Sequence, residues 1–298
     1  MGKKFFISND KNPKNVQIKK DIINHFIANG NDTIAELSKE LDLSVPTITK
    51  FIGELMDQGL ICEYGKMQTT GGRYPNVYGL NPDSVYFVGV DMTRHHLNIA
   101  LMDFKGDIVQ SQLGIPFIYE NTSEAFDTLC NHIQNFIDQT GELKEKIYSI
   151  NLNISGRVNP ESGYSYSSFY FSEQPVTEIL SAKLDFKVGI DNDTRAMAYG
   201  EYMKGVVEGE KQVIFVNISW GLGIGIIIDG KLYYGKSGFS GEFGHFPAFD
   251  NEILCHCGKK GCLETETAGV AIHRMILERI NNGESSILTE KVKDLNHL

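Results

Sequence analysis

Between Gly241 and Glu264 the chain reads Gly-Glu-Phe-Gly-His, a short spacer, and then Cys-His-Cys-Gly-Lys-Lys-Gly-Cys-Leu-Glu. His245 therefore precedes Cys255, Cys257 and Cys262, and three of the five cysteines of the chain fall in this one segment. One imidazole and three thiolates suit a tetrahedral structural zinc ion, Zn2+. Gly258 and Gly261 let the chain fold back sharply enough for the third thiolate to reach the metal. The spacing differs from that of a zinc finger, and the competing reading is a set of ordinary buried cysteines.

Elements must hold these residues in place, and the N-terminal ones read first. Val16, Ile18, Ile22, Ile23, Phe26 and Ile27 follow a helical period over 15–29, and Gly30-Asn31 stops it. Thr33 can cap a second helix carrying Ile34, Leu37 and Leu41, with Glu36 at the capping-box position. Ser44 caps a third, with Val45, Ile48, Phe51, Ile52, Leu55 and Met56 inward, until Gly59 ends it. Two β runs follow, 60–64 and 76–80, joined by the loop Thr69-Thr70-Gly71-Gly72-Arg73-Tyr74-Pro75.

Helix, helix, turn, helix and β-wing form a DNA-reading layout. The third helix would enter a major groove N-terminus first. Ser44, Thr47 and Lys50 fall on its outer face, with Thr49 at the margin. The hydroxyls can reach base edges or phosphates, and Lys50 can neutralise a phosphate. Arg73 in the wing is placed to probe a minor groove or the backbone. The same three helices could also make a small interaction domain without a DNA role.

From Tyr86 the pattern alternates β runs and helices. Strands are expected at 86–91, 97–103, 108–114, 147–154, 188–191, 212–219 and 225–228. Helices are expected at 122–138, 192–205 and 268–281, and Asp229-Gly230 reads as a hairpin turn.

The run Gly-Glu-x-Gly-His followed by Cys-x-Cys-Gly-x-x-Gly-Cys-x-Glu resembles the signature of the ROK family of repressors, open reading frames and kinases. The likeness extends from near Asn15 to near Ala271, and the Gly-Gly-Arg-x-Pro wing is similar to that of the family's repressors of the N-acetylglucosamine and xylose type. The resemblance implies an α/β fold: an N-terminal winged helix-turn-helix followed by an actin-like, ribonuclease H-like/sugar kinase-like two-lobed domain. The expected domains are 1–80 for DNA binding and 85–298 for sugar binding. Family members continue beyond the counterpart of Leu298, so the C-terminal part of the second domain is expected to be missing here.

The resemblance also implies a sugar site. Its residues are Gly156 and Arg157, Asn192 and Asp193, Glu242 and His245, and Glu264. The chemistry agrees: a pyranose presents hydroxyls that both donate and accept, carboxylates accept from them, and the Asn192 amide does either. His245 takes two roles, one ring nitrogen on zinc and the other toward a sugar hydroxyl, so that the metal fixes the tautomer. Each residue taken alone has a plainer use: Asp193 as a cap, Glu242 as a surface charge, Glu264 as a partner for Lys259 or Lys260.

In kinases of the family the counterpart of Asp193 is the general base. Phosphoryl transfer also needs phosphate-cradling loops. The first should resemble Asp-x-Gly-Gly-Thr; here it is Asp91-Met92-Thr93-Arg94-His95. The second should resemble Gly-Thr-Gly-x-Gly-Gly; here it is Gly221-Leu222-Gly223-Ile224-Gly225-Ile226. Side chains occupy the space of phosphates, and the three remaining glycines read as needed for a tight turn. The expectation is a non-enzymatic regulator, a repressor of carbohydrate-utilisation genes, and the alternative is an ATP-dependent sugar kinase with an added DNA-binding arm.

Bulk properties agree. At 298 residues there is room for about two domains. No apolar run approaches the ~20 residues of a membrane span, and the N-terminus is too short and polar for a signal peptide. Cys62 and Cys130 fit no pairing pattern, which suits a reducing cytoplasm. The net charge is −10, yet residues 1–79 hold ten Lys/Arg against nine Asp/Glu. The segment that would touch DNA is spared the acidity. Repulsion from the rest favours salt-sensitive operator binding by a homodimer or higher homo-oligomer.

Overall fold

The computed structural model describes residues 12–67 and 74–289. They form two compact units that divide between Asp191 and Asn192.

Local side-chain chemistry starts each N-terminal helix. Asn12 accepts from Lys14 N–H at 3.0 Å and Pro13 fills the first turn of α1 (Pro13–Asn29). β1 is only Asp32–Thr33. Thr33 caps α2 (Ile34–Glu40): its hydroxyl accepts from Glu36 N–H at 3.2 Å and donates to Glu36 Oε2 at 2.9 Å. Ser44 caps α3 (Val45–Asp57). β2 (Ile61–Lys66) and β3 (Asn76–Leu80) follow, and the sheet order is β1-β3-β2. β1 is not readable in the sequence, because two residues carry no alternation; pairing with Val77 and Tyr78 defines it.

The rest of the first unit holds β4 (Tyr86–Met92), β5 (His96–Met102), β6 (Ile108–Pro116), α4 (Ser123–Gln139), β7 (Ile147–Ile154), the short pair β8 (Val158–Asn159) and β9 (Tyr164–Ser165), α5 (Val176–Leu184) and β10 (Lys187–Asn192). The five-stranded sheet runs β10-β7-β4-β5-β6, with β4 antiparallel to β5 and parallel to β7. Its apolar residues pack with Phe126, Leu129, Ile133 and Phe136 of α4 and Leu180 of α5 in one core.

A second core joins the winged helix to this sheet without a break. Ile22, Phe26, Leu37, Ile48, Phe51 and Leu55 pack in the same cluster as Leu80, Val85 and Phe104, with Phe87 and Tyr148 against it. Polar contacts follow the same seam: Phe104 N–H donates to Pro82 O at 3.4 Å, Asn81 Nδ2 to Gly59 O at 2.8 Å, and Lys146 Nζ to Asp83 O at 2.9 Å.

The second unit contains α6 (Asp193–Lys204), β11 (Val213–Ile218), β12 (Leu222–Ile228), β13 (Lys231–Leu232), α7 (Glu264–Thr267) and α8 (Gly269–Asn281). β12 pairs antiparallel with both neighbours, and Asp229-Gly230, both at positive φ, turns into β13. Gly223 and Gly225 lie inside β12, not in a turn. A methyl at Gly225 would sit 2.2 Å from Ala198 Cβ, and one at Gly223 would sit 2.8 Å from Thr194 Oγ1. Both are glycine because α6 packs directly on the strand.

Candidate functional site

The segment 243–262 is built by turns, not by regular strands. A short 3-10 turn, Phe243–His245, presents the imidazole. Single bridges Pro247↔Cys262 and Leu254↔Lys260 fold the cysteine loop back beneath it. Cys255 N–H donates to Lys259 O at 2.8 Å and Gly258 N–H to Cys255 O at 2.9 Å. Gly258 and Gly261 both have positive φ, and a side chain at Gly261 would meet Phe249 O at 1.9 Å.

This fold brings one donor atom from each of His245, Cys255, Cys257 and Cys262 within 4.8 Å of one another. Nδ1 of His245 lies 3.5 Å from Cys255 Sγ, and Cys257 Sγ lies 3.6 Å from Cys262 Sγ. Zinc–sulfur bonds of about 2.3 Å and zinc–nitrogen bonds of about 2.0 Å in a tetrahedron put neighbouring donors about 3.5–3.8 Å apart. The four residues could therefore hold a metal ion. Burial pushes the Cys255 thiol up to about 12, so a cation is what would make this sulfur an available thiolate. His245, His256 and Glu264 form a second, overlapping set.

Around this cluster stand the carboxylates. Glu264 opens α7 and is 5% exposed. Its Oε2 accepts from Leu222 N–H at 2.9 Å, and Oε1 lies 3.2 Å from His256 Nδ1. Burial raises the Glu264 carboxyl, but the His256 imidazole and the Leu222 N–H outweigh it and hold the group below its usual range. Glu242 Oε2 lies 3.6 Å from His245 Nε2. The imidazole therefore presents Nδ1 to the thiols and Nε2 to a carboxylate.

Asn192 and Asp193 start α6 in the same unit. Asn192 Oδ1 accepts from Arg195 N–H at 3.1 Å, so Asn192 is the cap and Asp193 the first helical residue. Asp193 Oδ1 accepts from Thr194 N–H at 2.7 Å, and Asn217 Nδ2 on β11 donates to Thr194 Oγ1 at 3.0 Å. Gly156 and Arg157 belong to the first unit. Gly156 has φ +89 and abuts Ser167, whose Oγ accepts from Arg157 N–H at 3.0 Å; the Arg157 side chain is exposed.

On α3, Ser44 Oγ accepts from Thr47 N–H at 3.3 Å and pairs with Thr47 Oγ1 at 2.8 Å. Thr49 Oγ1 donates to Val45 O at 2.8 Å, so its proton is already used within the helix. Lys50 has 60% of its side chain exposed and lies 3.8 Å from Glu54. Arg73 falls outside the described residues. Arg195 and His256 are the two residues of this region that the sequence does not single out. An arginine in a helix carries no sequence signal of burial, and His256 stands between two cysteines that already complete a ligand set.

Comparison with known proteins follows the same division. A family model described as the ROK family matches residues 87–296, and one described as winged helix-turn-helix DNA-binding matches residues 17–61. The xylose repressor of Bacillus subtilis (strain 168) is 29% identical over 282 residues, 94% of this chain and 72% of that protein. The DNA-binding transcriptional dual regulator NagC of Escherichia coli (strain K12) is 28% identical over 255 residues, 84% of this chain and 62% of that protein. A crystal structure described as a ROK family transcriptional regulator, homolog of the E. coli MLC protein, superposes with a TM-score of 0.73 at 28% identity, covering 92% of this chain and 70% of that one. A ROK family glucokinase from Streptomyces griseus, solved with glucose and AMPPNP, gives a TM-score of 0.56 at 26% identity, covering 66% and 62%. The chain spans between 62% and 72% of the length of these four proteins.

Proposed function

The chain belongs to the ROK family, and on that footing we propose that it is a sugar-responsive DNA-binding transcriptional regulator, a repressor of carbohydrate-utilisation genes. One observation carries the reading: a winged helix-turn-helix is joined in one chain to a sugar-kinase-like α/β domain. Relatives that the chain matches over 94% and 84% of its length are named xylose repressor and N-acetylglucosamine repressor.

In this reading α3 reads operator DNA through Ser44, Thr47, Thr49 and Lys50, with Arg73 from the wing, in a homo-oligomer. Asn192, Asp193, Glu242, His245 and Glu264 take sugar hydroxyls, and the family resemblance adds Gly156 and Arg157. His245, Cys255, Cys257 and Cys262 hold a structural zinc ion, whose chemistry is to fix the His245 ring and leave Nε2 as a donor. His245 Nε2 and Glu242 Oε2, 3.6 Å apart, are close enough for one ligand hydroxyl to accept from the imidazole and donate to the carboxylate. A sugar changes operator occupancy only through different affinities for the DNA-bound and released states.

The test is a genomic-DNA pull-down with the purified protein, eluted with a panel of sugars. A few enriched palindromic sites, released by one sugar, are expected. A folded, metal-loaded protein that enriches no site would remove the regulator reading.

Asp193 at the start of α6 keeps a sugar kinase as the second reading. Against it, Leu222 N–H is already engaged by Glu264, and the Gly223 and Gly225 positions are required by helix packing. ATP-dependent phosphorylation of a hexose, lost in Asp193→Asn, would establish the kinase.

A further inference from the structure

Arg195 is 1% exposed and is the largest fully buried side chain among the described residues. It sits in the first turn of α6, two positions after Asp193, on the buried face with Thr194 and Ala198. Burying a guanidinium costs several kcal/mol of lost hydration unless its donors are used. An apolar side chain would fill a helix–sheet interface at lower cost, so the charge calls for another explanation.

Its contacts supply one. Nη1 donates to Gly238 O at 2.8 Å, and the guanidinium lies 5.3 Å from the centre of the Tyr234 ring. Both partners lie in the segment after β13, which runs directly into Glu242 and His245. Gly235, Gly238 and Gly241 all have positive φ there, and no strand or helix spans 233–242. The segment is held at its ends by strand β12: Tyr233 N–H donates to Ile226 O at 2.8 Å, and Ile224 N–H to Gly241 O at 3.1 Å. Its middle is held by Arg195.

We infer that Arg195 is a positioning residue: it fixes the loop that carries Glu242 and His245 against the helix that carries Asn192 and Asp193, and so sets the spacing of the two halves of the sugar site. The functional consequence rests on the sugar reading given above. The guanidinium suits the place, because its central carbon lies over the Tyr234 ring while Nη1 reaches Gly238 O. An ammonium is a point charge on a different stem, without a fork whose separate nitrogens can hold the ring and the carbonyl in one fixed geometry.

Arg195→Met and Arg195→Lys test this in the full chain. Three readouts are needed: titration calorimetry with D-xylose, D-glucose and N-acetyl-D-glucosamine, metal content, and hydrogen exchange of peptides covering 233–246. Both variants are expected to keep stoichiometric metal, to exchange faster only in that segment, and to bind the sugar that wild type binds about 10- to 100-fold more weakly, the usual effect of removing a residue that orients a ligand group. Wild-type sugar affinity in Arg195→Met would overturn the inference and leave the sugar reading standing. Loss of metal together with sugar binding in both variants would also overturn it, since the role would then be general stability. If wild type binds none of the three sugars, the sugar reading loses its support, and exchange alone decides the role of Arg195: unchanged exchange of 233–246 in the variants rejects it, and faster exchange confined to that segment retains it.

Discussion

At the residue scale the imidazole of His245 joins two chemistries. Nδ1 stands 3.5 Å from Cys255 Sγ and Nε2 stands 3.6 Å from Glu242. A ring fixed on one side can be a directed donor on the other. Cys257→Ser is expected to lose bound metal, measured by elemental analysis, and to lose the sugar response of operator binding at the same time. Full sugar release in a metal-free variant would separate the two and sink the coupling. The donor types of this centre were legible from four residues in one short segment. Which nitrogen faces the thiols was not, because that depends on the 3-10 turn and on the bridge that returns Cys262 to Pro247.

At the element scale the contact of α6 with β12 depends on two missing side chains. Gly225→Ala puts a methyl 2.2 Å from Ala198 Cβ and is expected to cost about 1–3 kcal/mol, the usual penalty for overpacking. Adding Ala198→Gly should restore most of that loss in urea unfolding; no restoration would place the strain elsewhere. The winged helix carries a pH-dependent tie of its own. Asp32 Oδ2 lies 2.9 Å from His25 Nε2. Burial raises the Asp32 carboxyl, but the Glu36 side chain, the Thr33 N–H and His25 outweigh it, so its folded value is depressed. A depressed carboxyl contributes stability that is present at neutral pH and lost as pH falls through the folded value. Asp32→Asn should therefore flatten the acid side of the stability profile. An unchanged slope between neutral and acidic pH would rule the tie out.

At the scale of the whole molecule, the winged helix shares a core with the first sheet. Phe104, 7% exposed and on the β5–β6 turn, packs in the cluster that contains Ile48 and Phe51 of the DNA-reading domain. That domain is therefore expected to unfold together with the first sheet. Phe104→Ala is expected to cost about 3–5 kcal/mol and to split one calorimetric unfolding transition of this unit into two. A single transition at the wild-type temperature would show that the shared core does not couple them.

The sequence by itself determined what is local. Caps at Thr33 and Ser44, the helical stripes, the alternating strands and the glycines that let the cysteine loop turn all act over a few residues. Their types and spacing therefore carry the signal. The family signature is equally local, since it is a run of some two dozen residues. Tertiary structure decided the rest: the pairing of two-residue β1, the role of Gly223 and Gly225, the burial of Arg195 and the core that crosses from Ile48 to Phe104. Each of these depends on a partner tens of residues away. A glycine that makes a turn and a glycine that admits a helix look the same in sequence, and so do an exposed arginine and a buried one. Only the packed neighbour tells them apart.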